Sequence, residues 1–244
     1  MLRSLLFSLT VLSLSLSAKA QSQHPVVLEL FTSQGCSSCP AADKLLAKVL
    51  AEAETAGRPV YGLSFHVNYW DYLGWKDPYS TEAYTNRQRY YAQAFRENSV
   101  YTPQLVINGR EHHVGSNEGA IRKAIKEQLL ANNDVELMIS ALSIKGEVLI
   151  LDFKSSGNEN HVVQVAIVER DVKNFVPRGE NKGRELHHDQ VVRGFHSYTH
   201  TRAGRVELKI PAALDLSKSA VLIFLQDKNT WQILTADQRE LQTQ

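Results

Sequence analysis

Cys36 and Cys39 are the only cysteines in a chain of 244 residues, and they stand three apart as Cys36-Ser37-Ser38-Cys39. Two sulfurs at that spacing can close a disulfide, exchange it with another thiol pair, or hold a soft ion. One pair is too few to act as a stabilising framework for a chain this long, so the spacing calls for a local explanation. The pair follows an apolar run and opens a helical pattern. Free N–H groups and the helix dipole at such a start stabilise negative charge, which favours a thiolate at Cys36. Thiols so placed titrate at roughly 3.5–7.5 rather than ~8.5. A Cys36 thiolate can attack a substrate disulfide, and Cys39, one turn deeper, can attack the mixed disulfide and release the product. Pro40 suits the first helical turn, where its missing N–H costs little. Ser37 and Ser38 are compact enough to admit a partner chain.

The elements that must hold this pair are legible on either side of it. Val26–Phe31 is almost unbroken apolar sequence, the pattern of a strand covered on both faces. Ala42, Leu45, Leu46, Val49, Leu50 and Ala53 then recur at helical spacing until Gly57 and Pro59 stop the helix. Val60–Val67 reads as the next strand, completing a right-handed β-α-β unit. Residues 66–101 carry Trp70, Trp75 and seven of the nine tyrosines, and read as a loop and helix (about 68–100) inserted over the sheet. That helix starts near Asp77-Pro78 and Ser80 and turns Tyr84, Tyr91, Ala94 and Phe95 to one side. Leu105–Ile107 is a strand ending in the Asn108-Gly109 turn, with a partner strand around Glu111–Val114. Ser116 or Asn117 caps a last helix with Ile121, Ala124, Ile125 and Leu129 on its apolar face.

From Val135 the period changes. Strand-like runs fall at 135–144, 147–155, 161–170, 190–195, 205–210, 220–226 and 231–235, separated by turns such as Lys145-Gly146. Seven short strands without a helix predict a β-sandwich over 134–240, and 171–189 is its one long loop. The expected fold class is therefore an α/β domain over 24–133 followed by an all-β sandwich, with apolar residues enough for two separate cores.

Residues 1–20 have the layout of a secretory signal peptide: Arg3, an apolar run from Leu5 to Leu16, and Ala18-Lys19-Ala20 as a cleavage site before Gln21. The expectation is an exported protein, periplasmic or secreted, where disulfides persist. No other apolar stretch reaches spanning length, so no membrane span is expected in the mature chain. Without the leader the charge is nearly balanced, with 25 basic and 26 acidic residues. That gives no electrostatic reason to expect a nucleic acid partner. The expected partners are protein thiols or disulfides or a redox partner protein. No cofactor is called for.

Strand, Cys-x-x-Cys-Pro, helix, strand and then Thr102-Pro103 before a late strand is an order that resembles the thioredoxin superfamily. The resemblance implies that Pro103 is a cis-proline facing the cysteines and that Thr102 beside it offers backbone to an extended substrate. Trp70, Tyr72 and Trp75 would cover or line that groove. The chain is closer still to a bacterial exported family of unknown function, number 1223. The matching segments are Glu29-Leu-Phe-Thr-Ser-Gln-Gly-Cys-Ser-Ser-Cys-Pro-Ala-Ala-Asp43, His66-Val-Asn-Tyr-Trp-Asp-Tyr-Leu-Gly-Trp-Lys-Asp-Pro78 and Tyr101-Thr-Pro-Gln104. Gly179-Glu-Asn-Lys-Gly-Arg184 with Val191-Val-Arg193 also resembles segments of related surface-associated proteins. Two departures from thioredoxins stand out. Gly35 replaces the usual aromatic before the first cysteine, and the buried acid that assists proton transfer has no match beyond Glu29. A buried Glu29 carboxylate can accept the Cys39 proton or simply hydrogen-bond within the sheet.

Two other readings use the same residues. An inert disulfide would staple the turn, although so short a loop gains little from a crosslink. Two thiolates with His66, His112 or His113 could instead handle Cu(I). His187, His188, His196 and His200 gather in the second half and are expected mainly on exposed loops.

Overall fold

The computed structural model describes residues 23–132 and 134–241; the leader peptide expected over 1–20 lies outside them. Strand β1 (Val26–Thr32) is buried along its whole length, as its unbroken apolar run requires. It pairs in parallel with β2 (Val60–His66), Val26 opposite Val60 and Thr32 opposite His66. On its other side it runs antiparallel to β3 (Gln104–Ile107), which turns through Asn108-Gly109 into β4 (Glu111–Val114). Helix α1 (Cys39–Thr55) is the crossover between β1 and β2.

The two faces of β1 serve two cores. Val26, Leu28 and Leu30 pack against α1 and α3 (Glu118–Leu129), which brings Ile121, Ala124, Ile125 and Leu129 as its sequence period predicts. Asn117 caps α3 by accepting from the Ala120 N–H. Val27 and Phe31 face the opposite side, where Leu63, Phe65, Tyr84, Tyr91 and Val106 join them. Tyr84 and Tyr91 come from α2 (Glu82–Phe95), capped by Thr81. Ala94, expected on the buried side of α2, is exposed.

The second half is built from β5 (Leu137–Lys145), β6 (Val148–Ser155), β7 (His161–Glu169), β8 (Val172–Phe175), β9 (Glu185–His188), β10 (Val191–Thr199), β11 (Ala203–Lys209), β12 (Ser219–Asp227) and β13 (Ile233–Glu240). All seven expected strands are present. Strands β8 and β9 were not expected: they form a hairpin inside the segment read as one long loop, 171–189. The four strands of the first half continue into β10, β7, β12 and β13 as one eight-stranded mixed sheet, in the order β13-β12-β7-β10-β2-β1-β3-β4. The join is a parallel bridge from Val191 to Ser64. A three-stranded antiparallel sheet, β11-β6-β5, packs Leu149, Leu151 and Phe153 against Val163, Val165 and Ile223. The fold is thus mixed α/β, with one large mixed sheet and two smaller antiparallel ones.

The expectation of separate cores fails on the α2 side. Ala166, Val168, Val192, Leu222, Phe224 and Ile233 from the second half belong to the same core as Phe31 and Phe65. A sheet that continues sideways presents one apolar face to whatever covers it, and here α2 covers the seam.

Candidate functional site: a covered disulfide

The Cys36–Cys39 disulfide closes across the turn between β1 and α1. Cys39 is the first residue of α1, with Pro40 next, and the Cys39 N–H donates to the Cys36 carbonyl at 3.3 Å. The Ser38 hydroxyl lies 3.3 Å from the Cys36 sulfur. The helix start and a hydroxyl therefore lie beside Cys36, an arrangement suited to a thiolate once the bond is reduced.

Thr102 and Pro103 stand close by, joined by a cis peptide. At Gly115 an added Cβ would meet Ala42 on α1 at 2.9 Å and Pro103 at 3.2 Å, which fixes Pro103 beside the early turns of that helix. Trp70 connects the same parts from above. Its indole N–H donates to the Thr102 hydroxyl at 2.8 Å, and its Cβ lies against Gly35, so a side chain at position 35 would be crowded at 3.2 Å. Of the other expected groove residues, Trp75 is partly buried and Tyr72 stands out at 76% exposure.

The expected freely reachable sulfur is not found. Cys36 is 1% exposed and Cys39 0%. The tip of the β8–β9 hairpin, more than 140 residues downstream, lies on the backbone of the turn that carries them. Asn181 is fully buried and its side-chain amide donates to the carbonyls of Gln34, at 3.0 Å, and Cys36, at 2.8 Å. The Glu180 N–H donates to the Gly35 carbonyl. The Glu180 carboxylate accepts from the Ser37 N–H at 2.8 Å and the Ser37 hydroxyl at 2.7 Å. Those two bonds hold Glu180 below the usual glutamate range.

Glu29 does not reach the cysteines. Side chains alternate along a strand, and Glu29 shares the face of Val27 and Phe31, opposite α1. There it accepts from Arg87 Nε at 2.5 Å and Nη2 at 2.9 Å, and from the Tyr91 hydroxyl. Burial and the neighbouring Glu29 charge push the Tyr91 phenol well up. Arg87, the counter-charge, is ringed by Phe65, Tyr91, Phe195, Phe224 and Trp231 at 4.8–5.6 Å.

A different set of ionisable groups lies on the α1 face. Asp43, one turn after Cys39, is buried and accepts from the Thr32 hydroxyl at 3.0 Å. Its other oxygen is 3.4 Å from His188 Nδ1, near enough for attraction but without a hydrogen bond. The His188 ring meets His66 edge-on at 4.9 Å, and His66 Nδ1 is 2.7 Å from Asp77. Asp77 also accepts from Gln34 N and Nε2 and from Tyr79 N. Burial opposes the Asp77 charge, but His66 and these donors outweigh it and bring the carboxyl down to about 2. For His66 burial pulls the other way, yet Asp77, with Asp43 behind it, holds the imidazole above its ordinary value. Among the described residues, both nitrogens of His188, Nε2 of His66 and one Asp43 oxygen have no hydrogen-bond partner.

The family described as Protein of unknown function (DUF1223) matches residues 27–226. The chain belongs to that family. As a DUF1223 protein it is also similar to a crystal structure from Agrobacterium tumefaciens, with 29% identity, a TM-score of 0.70, and coverage of 92% of this chain and 99% of that one. Weaker likenesses include the Lactobacillus rhamnosus β-glucuronidase, 10% identical over 44% of this chain and 15% of that one, TM-score 0.23. Another is OgpA of Akkermansia muciniphila, 16% identical over 46% and 31%, TM-score 0.27. A comparison with curated proteins returns no match.

Among the described residues of this DUF1223 chain no three ligating side chains group as a metal would need. His112 is engaged with Tyr101 and Phe95, and His113 with Glu111. His196 is exposed and His200 pairs with Ser155. His187 is exposed beside Glu185. No helix of the described residues is long and apolar enough to cross a membrane. His188, expected on an exposed loop, is instead buried on β9, and sequence reasoning missed Asp43 and Asn181. Asp43 alone left a trace, as a carboxylate placed i+4 from Cys39 on the helix.

Proposed function

We propose that the chain is an exported, thioredoxin-like thiol-disulfide oxidoreductase in which Cys36 is the nucleophile and Cys39 the resolving thiol. On this reading the β5–β13 half is a sandwich that carries the hairpin to the site. The observation that carries the reading is the disulfide at the first turn of α1, with Thr102-Pro103 alongside and a hydroxyl 3.3 Å from Cys36. In the reducing direction the Cys36 thiolate attacks a protein disulfide, forming a mixed disulfide and releasing one substrate thiolate, which takes up a proton. Cys39 then gives its proton to the Asp43–His188 pair and attacks the Cys36 sulfur. The second substrate thiolate leaves and the Cys36–Cys39 bond is restored. An external protein dithiol reduces that bond for the next cycle; with the roles reversed, the same atoms oxidise a substrate dithiol.

Asp43 suits the base role on two grounds: a residue at i+4 on a helix shares the face of residue i, and one oxygen has no other engagement. The test is redox equilibration of the full chain, with mixed disulfides trapped in Cys39→Ser. A potential in the range of exchange catalysts and trapping that Cys36→Ser abolishes are expected. A potential below about −300 mV would instead favour an inert disulfide, the reading supported by the near-complete burial of both sulfurs.

A further inference from the structure

We propose that residues 176–184 are a displaceable cover over the Cys36–Cys39 pair, and that what displaces them is an extended polypeptide of the redox partner. The proposal rests on the exchange reading above and adds to it how the site is reached.

The hairpin has a firm base and a weakly held tip. Its base is anchored by apolar burial: Val172, Val176 and Leu186 are all buried. Between Val176 and Leu186 no apolar side chain is buried, and Asn181 is the one buried residue. The tip is therefore held by hydrogen bonds that water can replace, which is the condition for local opening without unfolding. Gly179 and Gly183 flank Glu180-Asn181-Lys182 with φ of +85° and +80°, a conformation that a side chain would strain.

The contacts describe what must replace them. The tip supplies N–H donors to the carbonyls of Gln34, Gly35 and Cys36, and a carboxylate to the Ser37 N–H and hydroxyl. Carbonyls and an N–H bared together in one turn are groups that the backbone of another polypeptide can satisfy. The Glu180 carboxylate has a second effect. It holds the Ser37 N–H and hydroxyl between the two cysteines, so these donors are free to face a Cys36 thiolate only when the cover has left.

The experiment uses the full oxidised chain and follows thiol release with two reductants, a small phosphine and a reduced protein dithiol of the thioredoxin class. Wild type is compared with Asn181→Ala, and with Glu180→Ala, an exposed position, should the first variant fail to fold. Each net hydrogen bond shifts an equilibrium by about two- to tenfold, so losing the two donated by Asn181 should speed phosphine reduction at least about fourfold. For wild type the phosphine rate should level off with concentration, because opening limits it, and the protein dithiol should exceed that plateau. Less than about a twofold change in either folded variant overturns the cover. A shared plateau for both reductants overturns displacement by the partner's polypeptide. The exchange reading fails separately, if the accelerated variant still returns to the disulfide against excess dithiol.

Discussion

On one face of β1, Glu29 and Arg87 are buried with every polar atom engaged, by each other, Tyr91 and Gln226. On the other face, Asp43, His188 and His66 are buried just as deeply, yet four of their polar atoms lack hydrogen bonds. One strand thus separates a complete polar network from an incomplete one. Complete networks fix a structure, whereas unsatisfied buried groups cost stability and need a reason to persist. The incomplete set includes Asp43, one turn after Cys39, and the proposed exchange chemistry would supply the reason: a group that must accept a proton cannot have all its positions filled beforehand. Depth of burial does not distinguish the carboxylates of the two faces; their hydrogen bonds do.

The contrast can be broken most forcefully at Glu29. Glu29→Ala strands a buried guanidinium and should cost about 3–5 kcal/mol in urea unfolding, without altering the redox equilibrium. Glu29→Leu combined with Arg87→Met should recover most of that loss, since buried pairs are often replaceable by apolar groups of similar size. A redox shift in Glu29→Gln would undo the division of labour between the faces.

The His66–Asp77 pair should have an intermediate effect, seen against pH. Asp77 is depressed to about 2 in the folded chain. Its contribution, about 2 kcal/mol, is present above the ordinary aspartate range and is lost as pH falls through about 2. His66 is raised, so its contribution is full below ~6.5 and is lost as pH rises through the elevated value. Urea midpoints should therefore decline on both sides of a plateau between about pH 4 and 6.5, and Asp77→Asn should flatten both arms. A midpoint that rises steadily above pH 7 would refute the assignment.

The smallest stability effect belongs to Asp43→Asn, about 1 kcal/mol, because the Thr32 hydroxyl keeps an acceptor. Resolution of the mixed disulfide should nonetheless slow by about tenfold or more, measured by stopping the reaction with acid. Unchanged kinetics would remove Asp43 from the chemistry.

Local signals were readable in the sequence. The Val26–Phe31 run, the helix through Ala53, the capped α3 stripe and the seven later strands depend on neighbours within a few residues, and those neighbours are adjacent in the chain. The site was half readable: Cys36, Cys39 and Pro103 carry their chemistry in their type. Glu29 was left between two roles because burial alone does not tell which face of a strand a residue takes relative to a helix not yet positioned. Asn181 was missed and His188 was placed on an exposed loop because their partners lie about 145 residues away, across a sheet whose continuity rests on a bridge between Val191 and Ser64.

That bridge makes the two halves poor candidates for separate lives. A fragment ending near residue 133 would carry both cysteines but lay bare Phe31 and Phe65, the β2 edge and the disulfide itself. Its amide spectrum should be that of a sticky, fluctuating chain rather than a miniature enzyme. Gene fusions or shufflings that treat the cysteine-bearing half as a portable cassette should accordingly fail unless the strands that border it travel too.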